Sequence, residues 1–235
     1  MPTRPAIGTE CSGSRGIAAV TEMAIYFVGL IDEKRHRPDD GLLSALIEVE
    51  AEGDRLSLEE LVANTILLYA AGFETTSNLI GNGVWALLRF PDQMQRLVAD
   101  PSLVPAAVWE VLRYDSPVQL NARTLLVDGE LLGEPAERGT QVIVLQGAAN
   151  HDPDVYDHPE RFDVARFAGG DGATPLSFGW GAHHCLGAHL ARAEAAAGLE
   201  RIVARVPGLR AGGDAPRYRP SFTLRGLEAL PVSGR

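Results

Sequence analysis

The chain has 235 residues, of which 46% are hydrophobic, enough to bury a sizeable core in one domain or two. A formal net charge of −10 argues against nucleic acid as a partner, because that needs a basic surface. Cys11 and Cys185 are too few for a disulfide framework, and neither a signal peptide nor an uncharged apolar run of about 18 residues is present, so a cytoplasmic protein without a membrane span is expected.

Residues 1–16 are polar and rich in Gly and Ser, and read as a disordered arm. An apolar stretch with a charged end predicts a helix over 17–34, stopped near Arg37-Pro38, and a second helix follows over 42–52. Ser57 and Glu60 form a capping-box signature at the head of a third helix, which can run to Arg89 before Phe90-Pro91 breaks it. At about 1.5 Å per residue that helix would span roughly 45 Å, and its mostly apolar surface places it centrally. Within it, the stretch 61–88 carries Glu74, glycines and several Thr, Asn and Ser, which fits a buried core helix better than a membrane span.

Further helices are expected over 91–99, opening on a proline, and 105–114. The texture changes at 118–144, where Leu- and Val-rich runs broken by Asp128-Gly129, Gly133 and Gly139 predict short strands and turns. A loop-rich stretch over 150–177 leads to a helix over 188–205, and 207–232 reads as a final β hairpin. No internal repeat is visible. Helix outweighs strand, so the expected fold class is mainly α with a minor β region.

The segment Phe178-Gly-Trp-Gly-Ala-His-His-Cys185-Leu-Gly187 concentrates the chemistry. A thiolate at Cys185 would face the positive end of the following helix and is suited to hold a metal, while the glycines let the backbone approach something flat and bulky. A lone cysteine is more often a small buried hydrophobe. The cluster His183, His184, Cys185 and His189 also raises zinc, but adjacent ligands do not easily close a tetrahedron and no second cysteine pair exists.

Phe178, Gly179, Gly181, His183, Cys185 and Gly187 meet the pattern Phe-Gly-x-Gly-x-His-x-Cys-x-Gly, and the segment resembles the proximal haem-binding loop of the cytochrome P450 family of soluble bacterial type. The resemblance implies haem b held by the Cys185 thiolate. It also implies a monooxygenase that inserts one oxygen atom from O₂ into a hydrophobic organic substrate, with electrons from a ferredoxin-type donor. Ala71-Gly-Phe-Glu74-Thr75 resembles the segment that crosses the distal face of the iron. There Ala71 and Gly72 leave a groove, and Glu74 and Thr75 organise proton delivery; taken alone, Gly72 would be read as a site of close helix packing. Glu110-Val-Leu-Arg113 resembles a structural pair locked by a third residue, assigned to Arg161 in His158-Pro-Glu-Arg-Phe162. Arg123 and His183 match donors to the haem propionates. Leu67, Ala70, Ala71, Val118, Gln119, Thr223 and Leu224 would line the substrate side, and Arg192 would meet the electron donor.

Further matches include Ala148-Ala-Asn-His-Asp-Pro153 and Arg225-Gly-Leu-Glu-Ala-Leu-Pro-Val232, so the resemblance covers residues 17–232, expected to form a truncated haem domain. His151, Ala136-Glu-Arg-Gly139 and Pro175 depart from the family pattern, and these departures are expected to alter turns and surface only. The larger departure is length, because the N-terminal part of the fold is missing. That leaves an alternative reading, a fragment that binds haem poorly or lacks turnover.

Overall fold

The computed structural model describes residues 10–51, 56–170 and 172–234. Two compact units, residues 1–71 and 72–235, divide within one long helix. The first unit holds helices α1 (Glu10–His36) and α2 (Leu42–Ala51) and the start of α3 (Leu58–Arg89). The arm expected over 1–16 is therefore helical from Glu10 onward, and Lys34, Arg35 and His36 lie in the last turn of α1, at its negative end. Residues 1–9 lie outside the described residues.

Asp39 organises the turn into α2. It accepts hydrogen bonds from the Gly41 N–H at 3.1 Å and the Ser44 hydroxyl at 2.7 Å, and it pairs with Lys34. The Lys34 ammonium, the Ser44 hydroxyl and the Gly41 N–H together hold the Asp39 carboxyl down at about 2. The capping box forms as its spacing predicts: the Glu60 carboxylate accepts the Ser57 N–H at 2.7 Å, and the Ser57 hydroxyl accepts the Glu60 N–H at 3.2 Å. Ile31, Ile47 and Leu61 make this unit's small core.

In the second unit the rest of α3 packs with α4 (Pro91–Ala99), α5 (Val104–Tyr114) and α7 (Ala188–Arg205). Leu79, Leu87, Leu97, Val104, Val108, Val111, Leu112 and Leu199 form the centre of this core. A Cβ on Gly83 would lie 3.2 Å from Val111, so glycine there sets how closely α3 and α5 pass, while one on Gly198 would make an ordinary 3.5 Å contact with Ile80.

The β region is small. β1 (Asn121–Thr124) pairs antiparallel with β4 (Gln141–Val144), Arg123 opposite Val142. β2 (Gly129–Leu131) and β3 (Glu134–Ala136) form a hairpin whose two turn residues, Leu132 (φ +53°) and Gly133 (φ +87°), both take left-handed backbone. The short helix α6 (Gln146–Ala149) follows.

The expected final hairpin is realised only at its base, where β5 (Arg210–Ala211) pairs with β6 (Val232–Ser233), with one further bridge between Tyr218 and Leu227. Pro216, Pro220 and Pro231 lack the N–H a continuous ladder needs. Scattered backbone bonds, such as the Arg225 N–H to the Pro117 carbonyl at 2.7 Å, and a cluster of side chains hold the segment. Tyr218 donates to Asp115 at 2.9 Å, Arg225 pairs with Asp115 and covers the Tyr218 ring at 3.7 Å, and Asn82 donates to the carbonyls of Asp115 and Arg225.

Burial and the adjacent Asp115 charge push the Tyr218 phenol up to about 12. Tyrosine ionises near 10 in an unfolded chain. The stability this network contributes is therefore complete below pH 10 and lost as pH rises towards 12. Urea midpoints at pH 9 and pH 11 should fall steeply between the two values for the wild-type chain and less for Tyr218→Phe.

Candidate functional site

The most deeply buried charges in the chain lie at the end of α5. Glu110 and Arg113 are both 0% exposed and meet in a two-pronged pair, with Nε to Oε2 and Nη2 to Oε1 each 2.8 Å. Helical spacing of three places both side chains on one face. The remaining Arg113 donors go to the carbonyls of Asn150 (3.1 Å), Pro159 (2.8 Å) and Arg161 (3.0 Å), so every guanidinium N–H is used. The third side chain of the network is Arg166, whose Nε donates to Glu110 at 3.0 Å; it is not Arg161 as the sequence pattern had implied. His158 takes left-handed backbone (φ +48°) and the loop then folds back, so Arg161 turns its carbonyl inward to both Arg113 and Arg166 while its side chain faces solvent.

From this network a chain of buried polar groups runs to the cysteine loop. Asn150, wholly buried, accepts the Leu176 N–H at 2.7 Å and donates to the Ser177 hydroxyl at 2.9 Å, and that hydroxyl donates to the Leu112 carbonyl at 2.6 Å. Gln146 donates to the Leu176 carbonyl at 2.8 Å and accepts from Asn121. The loop then turns through Gly179 (φ +71°) and Gly181 (φ +76°), a backbone conformation that costs a glycine little and a larger residue more. The Cys185 N–H closes it by donating to the Phe178 carbonyl at 2.9 Å. Gly187 leads directly into α7, and a Cβ there would sit 4.0 Å from the Cys185 sulfur. The thiol itself is exposed, as are His183, Trp180 (73%) and Leu186 (88%).

On α3 the spacing i, i+3, i+4, i+7, i+8 puts Leu67, Ala70, Ala71, Glu74 and Thr75 on one helical face. Leu67, Ala70, Ala71 and Gly72 are exposed, while Glu74 and Thr75 are half-buried. A Cβ on Gly72 would meet no atom within 4 Å, so close packing does not explain that glycine as it explains Gly83. Glu74 is paired with Arg219 of the tail segment at 3.3 Å. The same segment brings Thr223 and Leu224 to Val118 and Gln119: Val118 bridges Leu224, and the Gln119 N–H donates to the Thr223 carbonyl at 2.9 Å. The Gln119 side chain donates to Ser116 at 2.7 Å and lines a polar cleft with Arg89, Tyr114 and His151, so it is not a free lining group. Arg123 is exposed and bonded only to the Ala122 carbonyl among the described residues. Arg192 is half-buried, its guanidinium 4.4 Å over the Trp109 ring.

A profile of the cytochrome P450 family matches residues 20–206. The chain belongs to the cytochrome P450 family. It is 42% identical over 217 residues to the biotin biosynthesis cytochrome P450 of Bacillus subtilis, covering 92% of this chain and 53% of that protein. It is 46% identical over 220 residues to a vitamin D(3) 25-hydroxylase of Pseudonocardia autotrophica, covering 92% and 54% respectively. Among solved structures, that of the tirandamycin C-bound P450 monooxygenase TamI matches with a TM-score of 0.87 at 38% identity over 93% of this chain and 55% of that one. The chain thus spans about half the length of the curated relatives it matches, and its fold is that part of the P450 architecture.

Cytochromes P450 carry haem on a cysteine thiolate, and the residues here fit that group. Among the described residues no three His, Cys, Asp or Glu side chains gather closely enough to hold a metal ion unaided. A single exposed thiol suits an iron whose other ligands come from a macrocycle. The exposed apolar side chains beside it offer cover for a flat apolar ring, and Arg123 and His183 are exposed for its carboxylate edge.

Asn150, Ser177, Arg166, Trp109 and Arg219 carried no assigned role from sequence. Only Asn150 stood in a segment matched to the family, and its polarity directly after two alanines was the available signal. Arg166→Ala should destabilise the chain to urea by roughly 2–3 kcal/mol, since it removes a charged hydrogen bond to buried Glu110, and Glu110→Ala by about 3–5 kcal/mol, since it leaves the buried Arg113 without its counter-charge. Arg161→Ala, which keeps the inward carbonyl, should stay within about 0.5 kcal/mol of wild type.

Proposed function

We propose that the chain provides the catalytic portion of a haem-thiolate monooxygenase, with Cys185 as the proximal ligand. The observation that carries the proposal is the cysteine loop. Its thiol is exposed, its backbone is shaped by two left-handed glycines, its closure runs from the Cys185 N–H to the Phe178 carbonyl, and α7 starts just beyond it. The bound haem would supply oxygen activation, inserting one atom of O₂ into a hydrophobic organic substrate with two electrons from a ferredoxin-type donor in the cytoplasm.

The chain's own residues have definable parts in this. Gly179 and Gly181 let the loop approach the ring plane, and backbone N–H groups near Cys185 can donate to the sulfur and temper its electron donation. Arg123 and His183 would bind the propionates. On the other side, the bare Gly72 leaves room for a small ligand. Thr75 presents a hydroxyl on the same helical face as Glu74, a proton donor within reach of solvent. Glu74 is held by Arg219, so its carboxylate must leave or share that ion pair to pass a proton inward. Val118, Thr223 and Leu224 would form part of an apolar substrate wall.

A second reading, in which the chain holds haem without turning over, is favoured by the exposure of Leu67, Phe73 and Phe222, apolar side chains of the kind a closed pocket covers. The reduced, CO-bound spectrum of the purified chain supplied with hemin tests the common part: a strongly red-shifted Soret band should appear and should vanish in Cys185→Ser. Absence of the band from the unsubstituted chain would sink the haem reading. Thr75→Ala should bind haem normally yet lower product formed per electron consumed by roughly tenfold or more. Turnover with undiminished coupling would remove Thr75 from proton delivery, and no product from either protein would favour the second reading.

A further inference from the structure

Trp109 directly precedes Glu110 on α5, on the stretch of helix that Arg113 and Arg166 fix in place. Phe178 of the cysteine loop meets the Trp109 ring edge-on, with centroids 6.0 Å apart and planes at 80°. The Arg192 guanidinium from the first turns of α7 covers the same ring at 4.4 Å. Phe178 is also the residue whose carbonyl accepts the Cys185 N–H, and its ring meets His184 at 6.4 Å. One indole therefore ties together the helix before the loop, the residue that closes it and the helix after it. Among the described residues Arg192 forms no ion pair, so the ring face is the partner its charge has found.

Resting on the reading of Cys185 as haem ligand, we infer that Trp109 and Arg192 are positioning residues for the proximal thiolate. The indole fixes Phe178, and Phe178 fixes the carbonyl that holds Cys185. The guanidinium clamps the start of α7, which carries the sulfur's other flank. Neither residue need touch the iron. Loss of the stack leaves the loop free to swing, and the sulfur then spends part of its time out of bonding direction.

The experiment compares Trp109→Leu, Trp109→Phe, Arg192→Leu and Arg192→Lys in the whole purified chain. Amide hydrogen exchange is read without haem and the reduced, CO-bound spectrum after supplying hemin. Both leucine variants should exchange roughly two- to thirtyfold faster within residues 178–187, the range a cation–π contact spans, with wild-type rates in 104–108 and 195–203. Their spectra should show an increased share of unshifted Soret band at equal haem content, partly restored by the phenylalanine and lysine variants. Unchanged loop exchange in both leucine variants, or equal acceleration throughout α5 and α7, overturns the inference. Retention of the red-shifted band by Cys185→Ser would instead sink the haem reading and leave the loop measurement standing.

Discussion

A guanidinium with no exposed surface has to find an acceptor for each of its N–H groups, and Arg113 finds them in four different places along the chain. Two donors are taken by Glu110 one helical turn away, and the rest by main-chain carbonyls of residues 150, 159 and 161. Those carbonyls belong to a stretch with little regular structure of its own. A loop held only by van der Waals contact would sample many paths; one whose carbonyls take three of a buried cation's five N–H groups has one path of low energy. The same network continues through Asn150 and Ser177 into the cysteine loop, so the position of Cys185 is set from α5, well before α7 begins.

Around that fixed point the second unit divides its labour. Helices α3, α4, α5 and α7 supply a dry core, drawn close where Gly83 removes a side chain from the crossing of α3 and α5. The tail contributes almost no strand and is anchored by Asp115, Tyr218, Arg225 and Asn82, which brings Arg219 to Glu74 and Leu224 to Val118. Chemistry is left to the exposed margin of this framework. The thiol, the bare helix face at Gly72, Arg123 and His183 all lie at the surface of the chain.

Membership of the cytochrome P450 family explains why so apolar a margin exists. The chain spans about half the length of its curated relatives, and Leu67, Phe73, Leu186 and Phe222 are exposed in it. Under the proposed function, haem would cover the apolar side chains around Cys185 and substrate those around Leu224.

The amino-acid sequence by itself determined the helices and the motif. Local rules were enough for the reciprocal Ser57–Glu60 cap and the α3 and α4 boundaries at Arg89 and Pro91, because each depends on contacts within a few residues. The loop pattern from Phe178 to Gly187 was likewise readable, since glycine conformations are a property of the residue. Only the tertiary structure decided which arginine joins Glu110. Arg161 and Arg166 are both plausible in one dimension, and the backbone reversal at His158 sends the first outward and the second inward. It also decided that Gly72 faces open space while Gly83 is packed, that Arg192 lies on Trp109, and that the tail is held by a side-chain cluster and scattered backbone bonds rather than a continuous ladder. Each of these depends on partners distant in sequence, and local periodicity carries no information about which distant surfaces meet.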